Sequence, residues 1–219
     1  MNHNKGLLYS GDESITIAGL KNLEKVSSDI FPEIQARTEK ESIKRTIEGE
    51  DDFHYKLLLI KSKPHIIYYM GNIDILNYSI LGIVGPRMHS SYATEILTKL
   101  FALAPSYHFA TISGLAPGVD QLCHRLSLQK GIPTIAVLGG GFRHFLSGRD
   151  RELIQEIVTN GGLVISEFRL FQEPQTYTFP QRNRIIAGFI SSRSWCQKWE
   201  SHYRKFCHRY GKASIWSSK

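Results

Sequence analysis

The sequence predicts an α/β protein built on a Rossmann-like, doubly wound and mostly parallel sheet. Between residues 79 and 168, short apolar runs alternate with stretches whose apolar side chains recur at helical spacing. Three of the four runs end in glycine-rich turns. The alternation implies parallel βαβ units with right-handed crossovers. Ligands of such sheets bind beyond the carboxyl ends of the strands, so the glycine turns indicate the functional edge.

The individual elements follow from local pattern. Short apolar runs closed by turn residues predict strands at 79–85, 108–114, 133–141 and 163–168. Apolar positions three and four apart predict helices at 90–104, 118–131 and 148–162. A proline-bounded apolar segment, 66–70, predicts a further short strand or extended arm.

Three parts are expected along the chain. The polar residues 1–52 predict a short N-terminal arm, helical or partly ordered. Residues 53–188 predict the sheet domain, and residues 189–219 predict a poorly ordered tail outside it. A length of 219 residues with 42% apolar residues suffices for one packed domain.

Composition excludes several classes of protein. No apolar run reaches the roughly 18–20 residues needed to span a bilayer, and the N-terminus lacks a signal-peptide pattern. Three cysteines without metal-ligand spacing indicate a reducing compartment and no disulfide framework. We therefore expect a cytoplasmic protein with no membrane partner.

The net charge of +7 favours a nucleic-acid partner, but it is unevenly placed. The last 31 residues hold seven of the 27 basic residues and one of the 20 acidic residues. They also hold all three tryptophans. The rest of the chain is therefore nearly neutral. A prediction that it binds nucleic acid must rest on particular residues and not on net charge.

The first glycine turn, GIVGPRMHSS, offers a phosphate contact. Gly85 allows close backbone approach, and Arg87 has a guanidinium that can fork onto a phosphate. An ordinary strand-to-helix turn explains the same residues equally well. The dinucleotide fingerprint G-x-G-x-x-G is absent.

The second turn, ISGLAPGVD, is rich in backbone amides and predicts an anion-binding nest at Ser113, Gly114 and Gly118. Asp120 opens the following helix, and His124 lies one turn later on the same face. The two side chains are either a polar pair in the site or a capping carboxylate and a packed or solvated histidine.

The remaining turns add glycines and charged groups. Gly139 and Gly141 in VLGGGFRH are expected to keep the sheet edge open, with Arg143 and His144 as possible phosphate contacts. Glu167 at the fourth strand end is costly to bury alone, so we expect it to meet Arg182 or Arg184 or a backbone amide. Asn183 lies between those two arginines in FPQRNR, where a helix is expected to begin.

These pieces, in this order, resemble the DNA-processing protein A family (DprA/Smf). The matching stretches are YYMGN, ILGIVGPR, SYA, ISGLAPGVDQLCHR, GIPTIAVLGGG, NGGLVISEF and FPQRNRIIAG, from about Phe53 to Gly188. The resemblance implies an extended Rossmann-like domain that binds single-stranded DNA in a basic pocket. It also implies a homodimer that helps to load a RecA-type recombinase in natural transformation. It establishes no catalytic reaction, and we expect no cofactor and no metal.

Carried over by position, the resemblance implies a set of DNA- or phosphate-binding residues: Gly85, Arg87, Ser113, Gly114, Gly118, Gly139, Gly141, Arg182, Asn183 and Arg184. Asp120, His124 and Glu167 are the expected supporting polar groups. The chain departs from the family at Pro86, which replaces a serine and removes a hydroxyl and an amide donor. It also departs at Pro117, and FRHFLSGRDREL replaces a Tyr-Pro-x-x-Asn type of loop.

The tail after Gly188 lacks the strand and the Ser-Gly-Ser-Leu-Ile-Thr loop that the family places next. Permitted codon choices, read one base out of frame from Ile190 to Lys212, give LVVEAGVKSGSLITANFAIDMGR, which is that missing segment. We therefore hypothesise a one-base frameshift near Gly188 that truncates the protein. The rival interpretation is a genuine basic-aromatic tail that stacks bases and neutralises phosphates.

Three functions follow from these observations. The first is a DNA-binding recombination mediator without catalytic activity. The second is a nucleotide-binding Rossmann enzyme of the phosphoribohydrolase type, although this chain has only LGGGF where that group has a Pro-Gly-Gly-x-Gly-Thr loop. The third is a non-functional remnant of the first.

Overall fold

A computed structural model describes residues 42–60, 62–88, 90–102 and 109–190 of the chain. The described strands are β1 (Lys44–Ile47), β2 (Ile66–Gly71), β3 (Ser79–Gly82), β4 (Phe109–Ser113), β5 (Thr134–Val137) and β6 (Leu163–Ser166). The described helices are α1 (Tyr55–Leu58), α2 (Ser91–Ala102), α3 (Val119–Gln129), α4 (Phe142–Leu146), α5 (Arg151–Thr159) and α6 (Thr178–Ile190). A short 3-10 helix, Ile73–Asn77, precedes β3.

The strands form one mixed six-stranded sheet in the order β1-β2-β6-β5-β4-β3. Strands β3 to β6 are parallel neighbours, whereas β2 is antiparallel to β6 and β1 is antiparallel to β2. The predicted Rossmann-like α/β fold is therefore confirmed, including the short strand at 66–70. The four parallel strands lie side by side in chain order, from β3 to β6. Among these described strands the order does not reverse, so there is no topological switch point between them.

Helices cover both faces of the sheet because successive strand residues point to opposite sides. On one face, Ile135 and Val137 of β5 pack in a core with Ile185 and Phe189 of α6. On the other face, Ala136 packs in a core with the α4 and α5 side chains. A third core joins α2 to α3 on that second face. Burial on both faces explains why the parallel strands read as continuous apolar runs.

The parallel strands end earlier than the sequence pattern predicts. β3 ends at Gly82 rather than at residue 85, and β5 ends at Val137 rather than at residue 141. The residues left over form the turns at the carboxyl edge. Their first members still bond to neighbouring strands, since Ile83 donates its amide to Ile112 and Leu138 donates to Ile165, whereas Gly141 donates to the loop residue Gln172. A short helix, α4, directly follows the third turn and was not predicted.

The edge strand β1 lies inside the range 1–52 that the sequence predicts as an arm. Lys44 to Ile47 pair with Tyr69 to Ile66, so the sheet begins before residue 53. Residues 1–41 and 191–219 lie outside the described residues. The proposed domain boundaries, the poorly ordered tail and the frameshift near Gly188 therefore stay predictions. None of the helices that the structure describes is long and apolar enough to cross a membrane.

Candidate nucleic-acid interface

The carboxyl ends of four parallel strands bring four turns to one edge of the sheet, as the strand directions require. The turns after β3 and β4 are bonded to each other. Ser113 donates a hydrogen bond from Oγ to the carbonyl of Ile83 at 2.5 Å. The amide of Val119 donates to the carbonyl of Pro86 at 3.2 Å. These two contacts fix the loop that carries Arg87.

Gly118 is required for this close approach. Its φ is +94°, and a Cβ built there lies 2.4 Å from the carbonyl oxygens of both Pro86 and Arg87. Any other residue at this position would therefore have a strained backbone conformation, and its side chain would displace the first turn. The sequence prediction assigns Gly118 to an anion-binding nest and gives no sign of this packing role.

Arg182 lies inside the edge rather than on its surface. It is 5% exposed, and its Nη1 donates to the carbonyl of Val137 at 2.6 Å. Burial lowers the pKa of the Arg182 guanidinium, an effect that Asp120 opposes and the nearby Arg87 cation reinforces. Its Nε is buried and has no hydrogen-bond partner among the described residues. Arg182 thus joins α6 to the end of β5.

The Arg182 guanidinium and the Asp120 carboxylate both lie against Gly114. A Cβ at Gly114 would lie 2.0 Å from Nη1 of Arg182 and 2.4 Å from Oδ2 of Asp120. Burial raises the pKa of the Asp120 carboxyl, whereas Arg182 and the amides of Gly85 and Ala116 act in the opposite direction. Asp120 therefore holds the first two turns and α6 together from a buried position, instead of simply capping α3.

Glu167 and Arg184 form an ion pair through Oε1 and Nη2. This confirms the expectation that Glu167 finds an arginine at the end of β6, and Arg184 is the partner. Burial raises the pKa of the Glu167 carboxyl, and Arg184 opposes that rise. The charge of Arg184 is therefore largely committed to Glu167, although its Nη1 is buried without a hydrogen-bond partner among the described residues.

His124 is fully buried and hydrogen-bonded away from Asp120. Its Nε2 donates to the carbonyl of Gly114 at 2.5 Å, since a carbonyl only accepts, and its Nδ1 accepts from the Thr134 hydroxyl at 2.7 Å. Burial lowers the pKa of His124 to about 4, so the ring is neutral near pH 7. Of the two alternatives left open by the sequence, the packed histidine is the one observed.

The histidine ends a buried chain of hydroxyls beneath α3. Thr111 bonds to Thr134 and to Ser127, each at 2.7 Å. The chain therefore runs from α3 through β4 and β5 to the imidazole and on to Gly114. Threonines inside otherwise apolar strands were the available sign of this network, which the sequence prediction missed.

The third glycine turn is closed, and the expectation that it keeps the edge open is wrong. Gly139 lies against the Phe179 ring, where a Cβ would approach to 2.9 Å. Gly141 donates its amide to the carbonyl of Gln172 at 2.7 Å, and a Cβ there would lie 2.0 Å from the carbonyl of Arg169. Here glycine provides space for neighbouring chain, not access for a ligand.

The exposed part of the edge carries two arginine–aromatic pairs. The guanidinium carbon of Arg87 lies 5.3 Å from the ring centroid of Phe179, and that of Arg143 lies 5.2 Å from the centroid of Phe171. Arg87 and Asn183 are exposed, unlike Arg182. The sequence prediction missed both phenylalanines, because only the folded chain shows which aromatic rings lie beneath arginines.

Metal ligands do not cluster in the part of the chain that the structure describes. No group of three or more His, Cys, Asp and Glu side chains there is arranged to hold a metal ion. The groups that this edge presents include the guanidinium groups of Arg87 and Arg143 and the aromatic rings beneath them.

Comparison with known proteins gives consistent relatives. The chain is 34% identical over 139 residues to DNA processing protein DprA of Streptococcus pneumoniae, covering 64% of this chain and 49% of that protein. It is 37% identical over 144 residues to protein Smf of Escherichia coli, covering 65% of this chain and 38% of that protein. The chain thus spans about half the length, or less, of these curated relatives.

Solved structures agree with the sequence relatives. The crystal structure of DNA processing protein A from Streptococcus pneumoniae superposes with a TM-score of 0.61 at 32% identity, covering 71% of this chain and 55% of that one. The fold is also shared with DNA processing protein A from Helicobacter pylori, whose structure concerns the single-stranded DNA binding mode of that protein. That match has a TM-score of 0.56 at 20% identity and covers 78% of each chain.

The family model for DNA recombination-mediator protein A matches residues 44–194. This range begins with strand β1 and includes all four turns of the carboxyl edge. The match ends at residue 194, a little beyond the predicted boundary at Gly188. The chain therefore belongs to the family of DNA recombination-mediator protein A, also named DprA or Smf.

Proposed function

We propose that this chain binds single-stranded DNA at the carboxyl edge of its sheet and acts in DNA processing and recombination. The observation that carries the proposal is the exposed Arg87 guanidinium, held over the Phe179 ring at 5.3 Å. An arginine placed on an aromatic ring combines a phosphate contact with a surface on which bases stack. The single-stranded DNA binding of the Helicobacter pylori relative supports the same ligand class.

The buried residues give this surface its shape. Arg182, Asp120 and Gly114 fix the turns from inside, so the loop that carries Arg87 is ordered before a ligand arrives. Such preorganisation lowers the entropy cost of binding. In this proposal Arg87 and Asn183 contact DNA directly. Arg182, Arg184, Gly139 and Gly141 support the surface from behind.

The wider role is proposed from family membership. We propose that the protein acts in DNA uptake and natural transformation, helps to load a RecA-type recombinase and works as a homodimer in the cytoplasm. Because the chain spans only about half of its relatives, each of these roles requires its own test. The absence of catalysis likewise stays a prediction.

The rival enzyme function has less support. A phosphoribohydrolase requires an accessible glycine loop and a nearby glutamate. In this structure Phe179, Pro174 and the backbone at residues 169 and 170 cover the glycines, and Glu167 is paired with Arg184. The remnant alternative concerns stability, and it predicts a chain that fails to unfold in one cooperative transition.

The test is titration of a labelled oligothymidylate, followed by fluorescence anisotropy, with the whole chain and two variants. Arg87→Ala removes the exposed cation that lies over Phe179 at the edge. Lys130→Ala removes an exposed cation that follows α3, before β5 begins, and therefore lies at the opposite edge. Weaker binding by the first variant alone supports the proposal. Equal affinity of Arg87→Ala and wild type would place DNA elsewhere on the chain.

A further inference from the structure

Phe171 is an exposed aromatic ring with an arginine beside it. It is 46% exposed, and it lies in the segment between β6 and α6. Neither the core nor the edge described above requires it. Exposed aromatic rings next to arginines are the features with which proteins hold unpaired bases.

The backbone around Phe171 is firmly anchored. The amide of Gln172 donates to the carbonyl of Arg169 at 2.9 Å, which closes a turn with Phe171 inside it. From the other side, Arg143 donates its amide to the carbonyl of Leu170 at 2.9 Å, and Gly141 donates to Gln172 at 2.7 Å. The ring is therefore presented from a fixed turn, so little backbone order remains to be gained on binding.

The same glycine turn connects Phe171 to the Arg87 surface. Gly139 packs on Phe179, beneath Arg87, and Gly141 packs on the turn that holds Phe171. Because consecutive Cα atoms are about 3.8 Å apart, Gly139 and Gly141 are at most about 7–8 Å from each other. The two arginine–aromatic pairs thus occupy neighbouring positions along one edge.

The charges around Phe171 fit a polyanion. Arg169 and Glu173 are the exposed charged residues next to Phe171 in the chain, and Arg143 is an exposed residue of α4. The Arg143 guanidinium already lies on the ring, 5.2 Å from its centroid. A base that stacks on the exposed part of the ring would place its own phosphate close to a cation.

We infer that Phe171 and Arg143 form a second subsite for single-stranded nucleic acid, in which Phe171 stacks one base and Arg143 neutralises a neighbouring phosphate. This inference rests on the proposed function, since it extends the same bound strand past the Arg87 surface. Double-stranded DNA does not fit this role, because its bases are already stacked on one another and paired.

The experiment separates stacking from charge through salt dependence. Affinity for oligothymidylate is measured at several salt concentrations for the whole chain and for Phe171→Ala, Phe171→Leu and Arg143→Ala. Both Phe171 variants should bind about tenfold more weakly with an unchanged salt slope, because base stacking contributes about 1–3 kcal/mol and carries no charge. Arg143→Ala should reduce the slope of log K against log salt by about 0.7.

Tyr78→Ala is the matched control, since Tyr78 is 44% exposed and directly precedes β3 at the opposite edge. It should leave binding unchanged. A second readout is photo-crosslinking of an oligonucleotide that contains 5-iododeoxyuridine, which should label the peptide with Phe171 in wild type.

The outcomes distinguish this subsite from the proposed function. If wild type binds and both Phe171 variants bind equally well without a crosslink at Phe171, the subsite is wrong while the proposed function stands. If wild type does not bind single-stranded DNA at all, both are wrong. Phe171→Leu keeps an apolar side chain in the turn, so a loss shared by the two variants reports the ring rather than misfolding.

Discussion

The carboxyl edge of the sheet has a buried layer and an exposed rim, and the two use arginine in opposite ways. Arg182 is buried against Gly114 and bonds to a strand-end carbonyl, whereas Arg87 is exposed on an aromatic ring. The buried arginine is held by its own chain, and the exposed one is available for a ligand. At this one edge, Arg182 therefore stabilises the site, whereas Arg87 is placed to contact the ligand.

Removal of the buried arginine should have the largest effect. Arg182→Met leaves the buried Asp120 carboxylate without its cation and Val137 without its hydrogen-bond donor. Loss of one partner of a buried charge pair costs about 3–5 kcal/mol. We expect a fall of that size in the free energy of unfolding, measured by urea denaturation. Arg87→Ala, measured in parallel, should change stability by less than about 0.5 kcal/mol. Equal losses would abolish the distinction between layer and rim.

Gly114→Ala disturbs the same buried layer by adding a methyl group where there is no space for it. The added Cβ would meet Nη1 of Arg182 at 2.0 Å, so the guanidinium and the carboxylate must move apart. We expect about 3 kcal/mol of lost stability, at the upper end of overpacking costs. Gly161→Ala is the control, because nothing lies within 4 Å of its Cβ and only its positive φ of +75° is unfavourable. That variant should lose about 1 kcal/mol.

The buried histidine makes the layer sensitive to acid. The pKa of His124 is about 4 in the folded chain against 6.5 for an ordinary histidine, so the unfolded chain binds more protons between these values. Stability is therefore lost as pH falls from 6.5 to 4, by up to about 3 kcal/mol. His124→Gln keeps an amide donor for Gly114 and should remove this dependence.

Comparison of wild type with His124→Gln isolates the contribution of the histidine to the pH dependence of stability. Asp120 and Glu167 have raised pKa values, so their protonation favours the folded chain as pH falls, in both wild type and variant. Urea denaturation at pH 7, 5.5 and 4.5 gives the free energy of unfolding of both proteins. The slopes of that free energy against pH are then compared. Parallel pH profiles for wild type and His124→Gln would show that the imidazole does not titrate as the geometry requires.

The sequence predicts the edge better than it predicts the roles within it. Apolar runs and glycine turns locate β3, β4, β5 and β6 and bring the right loops together. Glu167 with an arginine was also predictable, since a carboxylate at a buried strand end needs a partner. These features depend on local pattern and on the energetic cost of burying a charge.

Burial of particular side chains was not predictable in the same way. Arg182 and Arg184 differ from Arg87 only through the packing of α6 on the turns, which a local pattern does not contain. The glycines at 139 and 141 read as an open loop because glycine serves both close packing and ligand access. No sequence pattern predicts the role of Phe171, because the turn that presents it is anchored by Gly141 and Arg143 from another part of the chain.

The most direct measurement of the central claim is the affinity of single-stranded DNA for Arg87→Ala, set against Lys130→Ala across a salt series. The account predicts that the Arg87 variant binds about tenfold more weakly and that its log K against log salt is shallower by about 0.7, as for one lost phosphate contact. Lys130→Ala should match wild type in both respects. Identical affinity and slope for the two variants would contradict the claim that the rim of this edge is the DNA-binding surface.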